Sequence, residues 1–146
     1  MKRKIIMSVA LSLSLLTMLL PWFGGMKGVE EVYGVILLDN PVALTCIILA
    51  FVGIWTNFGY NSEIIGSIGM IGIIVMEIYE FMTWHILTIS GQFDLNLSIA
   101  LCYPEFYLAL VCIVVTYIIY KYPSYIDSLY KLPPDNLELS SQQSHI

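Results

Sequence analysis

The chain has 146 residues, of which 58% are hydrophobic and only 12% charged, with a formal charge of −5 and a mean hydropathy of +0.82. A soluble domain carries about 25% charge, and so short a chain cannot enclose this much apolar surface in water, so composition argues against a water-soluble fold and for the bilayer as solvent. The few basic residues form no patch, which argues against nucleic-acid binding, and Cys46, Cys102 and Cys112, odd in number and without a C-x-x-C spacing, do not indicate a disulfide framework.

At roughly 20 apolar residues per crossing, the chain has room for four membrane helices. The first is predicted over about Ile5–Pro21, after the cationic start Met1-Lys2-Arg3-Lys4. Its start resembles a signal peptide, but Pro21-Trp22-Phe23 is bulky where a cleavage site needs small residues, so retention is expected. A longer outer loop, Trp22–Asn40, follows; its Val29–Leu38 stretch suits an interfacial helix, a re-entrant piece or a short strand. Helix two is predicted over about Val42–Phe58, helix three over about Ile64–Leu87 and helix four over about Leu97–Tyr120, joined by short turns. These make one domain, residues 1–122. Residues 123–146 form a polar tail that Pro133-Pro134 keeps from being helical.

Lys2, Arg3, Lys4, Lys121 and Lys131 fall on one side of this arrangement and Lys27 on the other, so both termini are predicted cytoplasmic. Trp22 and Trp84 are expected near the outer interface and Trp55 near the inner one, with His85 a boundary residue beside Trp84.

The sharpest chemistry is Glu77 and Glu80, three residues apart inside the third apolar run, with Glu105 in the fourth. Ionisable residues inside a membrane are costly and mark functional sites. At 100° per residue, Gly66, Gly69, Glu77, Glu80 and Trp84 share one face of helix three, while Ile64, Ile68, Ile71, Val75, Ile78, Met82 and Ile86 form the other. The first face suits the interior of a bundle and the second suits lipid. Ser98, Cys102, Glu105, Ala109, Cys112 and Thr116 make a similar stripe on helix four, and Cys46, Ala50, Gly53 and Asn57 on helix two. Gly53, Gly66, Gly69 and Ala109 are the expected close-packing positions.

Equal rise along an antiparallel hairpin sets Glu80 level with Glu105, with Glu77 about one turn deeper. Two carboxylates so close in a low dielectric cannot both carry charge, so at least one is expected to hold a proton, hydrogen-bonded to its neighbour or to a tyrosine. Pro104 inside helix four would free the Ala100 carbonyl for a donor or a cation. His85, Cys102 and Pro104 are therefore auxiliary candidates. The Glu-x-x-His pattern of di-iron bundles is missing, as are hydrolase and phosphate-loop motifs, so neither a metal nor another cofactor is expected.

The sequence thus predicts an all-α protein: a compact bundle of four transmembrane helices with one longer outer loop, multi-pass in a bacterial cytoplasmic membrane. Its expected partners are the lipid bilayer and another membrane protein or further copies of itself. The expected role is a non-enzymatic accessory, immunity-type or assembly subunit, with the acid cluster as a proton, cation or partner site. Proton- or cation-coupled transport through Glu80 and Glu105 is the first alternative, and an intramembrane enzyme on a lipid substrate the second.

Overall fold

The computed structural model describes residues 2–25, 29–56, 60–86, 89 and 91–122. Lys27, Asn57, Lys131, His145 and the polar tail 123–146 lie outside the described residues. The chain is mostly helical: α1 (Lys2–Leu16), α2 (Pro41–Trp55), α3 (Tyr60–His85), the short α4 (Leu95–Ala100) and α5 (Pro104–Lys121). Two 3₁₀ segments, Thr17–Leu19 and Gly34–Asp39, and two short strands, β1 (Pro21–Phe23) and β2 (Val32–Tyr33), lie between α1 and α2. Two helical stretches, Asn61–His85 and Pro104–Lys121, are long and apolar enough to cross a membrane, while Lys4–Leu19 and Pro41–Trp55 are shorter apolar helices.

The four longer helices touch in the order α1, α5, α3, α2 and back to α1, with α2 and α3 packed most extensively. Glycine lets these two approach backbone to backbone. A Cβ on Gly53 would collide with the Gly66 backbone, and one on Gly69 with the backbone of Ala50. At one end of the molecule Lys4 Nζ donates to the Trp55 carbonyl (2.8 Å), and Lys121 pairs with Glu63 (2.8 Å). Tyr120 Oη reaches the Ser62 carbonyl at 3.0 Å and the Gly53 carbonyl at 3.4 Å. The start of α1 therefore lies by the end of α2, and the start of α3 by the end of α5. Both pairs run antiparallel, and Lys4 sits where the last carbonyls of α2 favour a cation.

The opposite end departs from simple helices. Helix one stops at Leu16 rather than near Pro21, tightens into a 3₁₀ turn and gives way to β1. The reason is Trp22 and Phe23, whose side chains are wholly buried. Strand β1 carries them inward and pairs antiparallel with β2. Its other edge is taken by the chain between α4 and α5: Gly24 N donates to the Leu101 carbonyl (3.0 Å) and Tyr103 N to the Trp22 carbonyl (2.9 Å). Gly24 and Gly25 then turn the chain at φ of 135° and 79°, a region that disfavours residues with a Cβ. Of the three readings of the 29–38 stretch, a short strand followed by a 3₁₀ segment is observed.

Helix four is also not continuous over 97–120. Asp94 caps α4, its Oδ1 accepting from Asn96 N (2.9 Å) and Leu97 N (3.3 Å), and α4 ends at Ala100. Pro104 then starts α5, and Tyr103 before it is extended (ψ 154°) because the proline ring disfavours helical geometry there. Pro104 thus stands in a first helical turn, where its missing N–H costs nothing, and not at a mid-helix kink that frees the Ala100 carbonyl.

Candidate functional site

Helix α3 positions most of the chemistry. Gly66, Gly69, Glu77, Glu80 and Trp84 are buried, and Ile64, Ile68, Ile71, Val75, Ile78 and Met82 are exposed. Glu77 is 1% exposed and Glu80 9%. One oxygen of Glu77, Oε2, is buried with no hydrogen-bond partner, and the same holds for Oε2 of Glu105. Glu105 is partly buried in the first turn of α5, where unpaired backbone amides favour a carboxylate. One residue beyond each glutamate, Phe81 stacks on Phe106 with centroids 5.2 Å apart, which brings α3 and α5 together at this level. The expected bond from a glutamate to its neighbour or to a tyrosine does not form at the orphaned oxygens of Glu77 and Glu105. The stripe Ser98, Cys102, Glu105 requires one unbroken helix, and the break at 101–103 interrupts it.

Phe23 lies at the centre of the aromatic packing above these acids. Its ring stacks on Trp84 (5.0 Å, 6° between planes) and meets Phe106 at 5.4 Å and Phe81 at 6.4 Å. Trp22 packs edge-on against Phe106 at 5.5 Å and donates its indole N–H to the Thr17 carbonyl at 3.1 Å. Trp22 and Trp84 are therefore core residues rather than the interfacial anchors predicted; Trp55, at the end of α2, is exposed. Seating Phe23 between α3 and α5 is what draws both indoles inward.

His85 needs the same correction. It is wholly buried, not a boundary residue. Asp94 N donates to its Nε2 at 2.9 Å, and Ser98 Oγ lies 2.8 Å from its Nδ1. A backbone N–H can only donate, so Nε2 carries no proton, and the neutral ring holds its proton on Nδ1 and gives it to Ser98. A serine within reach of an imidazole can be an activated nucleophile. This tautomer rules that out here, because the ring nitrogen facing the hydroxyl is already protonated. The group is a polar clasp tying the end of α3 to the start of α4. Sequence reasoning missed Ser98 and Asp94 as partners of His85, although Asp94 before an apolar run is a helix-start signal.

Cys102, in the break between α4 and α5, is half-buried. Its Sγ lies 3.5 Å from the Tyr103 carbonyl. Cys46 faces Gly72 across the α2–α3 contact, and Ala109 is fully buried on α5. Among the described residues no group of three or more His, Cys, Asp or Glu side chains is placed to hold a metal ion.

What the site offers is thus buried acid with no cationic side chain paired to it among the described residues, on helices that also carry a cluster of packed aromatic rings. Comparison of the chain with protein-family models, with curated proteins and with solved structures gives no match.

Proposed function

We propose that the protein is a multi-pass integral membrane protein. Its residues 1–122 form a four-helix transmembrane bundle with both termini cytoplasmic, and it serves in a bacterial cytoplasmic membrane as a non-enzymatic accessory, immunity-type or assembly subunit. One observation carries the membrane part. Apolar side chains cover the outside of the helices as well as filling the core. Ser14, Thr17, Glu77, Glu80, His85, Ser98 and Thr116 are buried, while all four longer helices turn large apolar residues outward, from Val9 and Leu13 on α1 to Val111 and Val115 on α5. In water such surfaces would aggregate; in lipid they need no cover. With its 3₁₀ turn α1 extends about 28 Å, close to the roughly 30 Å of a hydrocarbon core. The non-helical chain of β1 is paired on both edges, as a membrane requires of irregular backbone.

The partner reading rests on the outer segment. Tyr33, Val35 and Leu38 are exposed there beside the exposed acids Glu30, Glu31 and Asp39, a surface suited to a partner with apolar and basic groups. The burial of Glu77 removes it from any such surface. Native mass spectrometry after gentle extraction tests this: a stoichiometric second protein, lost when Val35 and Leu38 are both changed to Ser, supports it. Isolated single copies from every extraction would overturn it.

A second reading, proton- or cation-coupled transport, draws on the orphaned carboxyl oxygens of Glu77 and Glu105. Reconstituted vesicles should then carry a pH-dependent flux that Glu80→Gln abolishes. No flux under any applied gradient sinks it.

A further inference from the structure

Glu77 is a buried acid that the partner surface does not use. It is 1% exposed, and its Oε2 accepts no hydrogen bond. Neither of the usual ways of stabilising a buried carboxylate reaches it. The cationic side chains that are described, Lys4 and Lys121, both sit at the far end of the bundle, on the Trp55 carbonyl and on Glu63. Glu63 is about 21 Å from Glu77 along α3, at 1.5 Å per residue. Nor does a helix terminus help, because Glu77 lies deep in the 26 residues of α3 and such dipoles act only over the first and last turns. The other two acids differ. Glu105 stands in the first turn of α5, and Glu80 retains some exposure.

We propose that Glu77 is an intramembrane proton-binding site, a neutral carboxylic acid whose ligand is the proton itself. A carboxylate held away from water, with no cationic side chain beside it among the described residues, is costly enough that the group takes a proton instead. The unpartnered oxygen leaves the acid free of a competing hydrogen bond. The proposal rests on the membrane reading above.

Infrared difference spectroscopy on the full chain in hydrated membranes tests it. At neutral pH the carbonyl band of an un-ionised carboxylic acid should be present, be lost in Glu77→Gln and persist in Glu80→Gln. A band unaltered by Glu77→Gln overturns the proposal. If that variant does not accumulate, the wild-type chain can be treated with dicyclohexylcarbodiimide. A neutral carboxyl adds across this reagent: its proton goes to one nitrogen, its oxygen bonds the central carbon, and rearrangement to the N-acylurea expels nothing. Peptide mapping should place the adduct on Glu77 and show it lost as pH is raised. No adduct at Glu77 at any pH overturns the proposal. Alkaline carbonate extraction of the same membranes separates the two readings. Release of the chain means the membrane reading has failed, whereas retention without the acid band or adduct means that only the proton site has.

Discussion

Ser98 and Asp94 hold the wholly buried His85 ring at its two nitrogens, at 2.8 and 2.9 Å, with Ser98 itself buried and Asp94 exposed. Removing the serine hydroxyl strands a buried N–H, and such orphans cost about 1–3 kcal/mol. Ser98→Ala should therefore lower stability in detergent by that amount, read as a shift in the unfolding midpoint. A His85/Ser98 double-mutant cycle should return a coupling of about 0.5–3 kcal/mol, and additive effects would mean the clasp does not exist. Glycine gives a second residue-level contrast. A methyl group on Gly53 meets the Gly66 backbone, which cannot yield without parting α2 from α3, whereas one on Gly72 meets only the Cys46 side chain. Gly53→Ala should cost about 1–3 kcal/mol by overpacking, and Gly72→Ala clearly less. Equal losses in thermal melts would show that backbone contact is not what holds the pair. The interior face of α3 was legible at this scale, because residues 66, 69, 77, 80 and 84 recur at helical spacing. The role of His85 was not, since both its partners come from the chain beyond the turn.

Between elements, two joints hold the bundle. At the end carrying Lys4 and Lys121, Tyr120 on α5 bridges the end of α2 and the start of α3 through the Gly53 and Ser62 carbonyls. The nearby Lys121–Glu63 pair is solvent-exposed. Tyr120→Phe should cost about 0.5–1.5 kcal/mol, the usual net worth of such bonds. Glu63→Gln should cost less than about 1 kcal/mol, because exposed ion pairs contribute little. At the other end β1 supplies the joint. Phe23→Ala would empty the space between Trp84, Phe81 and Phe106, and phenylalanine truncations in cores cost about 3–5 kcal/mol. Tryptophan emission should shift to the red as Trp84 loses its stacked partner; unaltered emission and stability would contradict the packing described. The existence and centre of each long helix could be read from apolar runs. Their ends could not, because helix one yields to pairing of Trp22 and Phe23 with distant chain, and helix four yields to Pro104.

For the molecule as a whole, the proposed topology predicts accessibility. In a background with Cys46, Cys102 and Cys112 replaced by Ser, Tyr33→Cys should react with a membrane-impermeant maleimide in intact cells, and Lys4→Cys only after the membrane is opened. The reverse pattern would invert the proposed orientation. The amino-acid sequence by itself determined the dominance of apolar residues, the mostly helical character of the chain and the polar face of α3, because these depend on composition and on a period of 3.6 residues; of the four membrane-length helices it predicted, two are long and apolar enough to cross a membrane. Only the tertiary structure decided that Trp22, Trp84 and His85 lie inside, that a strand closes one end, and that Glu77 Oε2 has no hydrogen-bond partner among the described residues. The burial of Trp22 and Trp84 and the closing strand rest on contacts between segments far apart in the chain, such as Phe23 with Phe106 and Trp22 with Tyr103, and no local pattern encodes which distant segment wins, whereas the break in helix four is the local effect of Pro104.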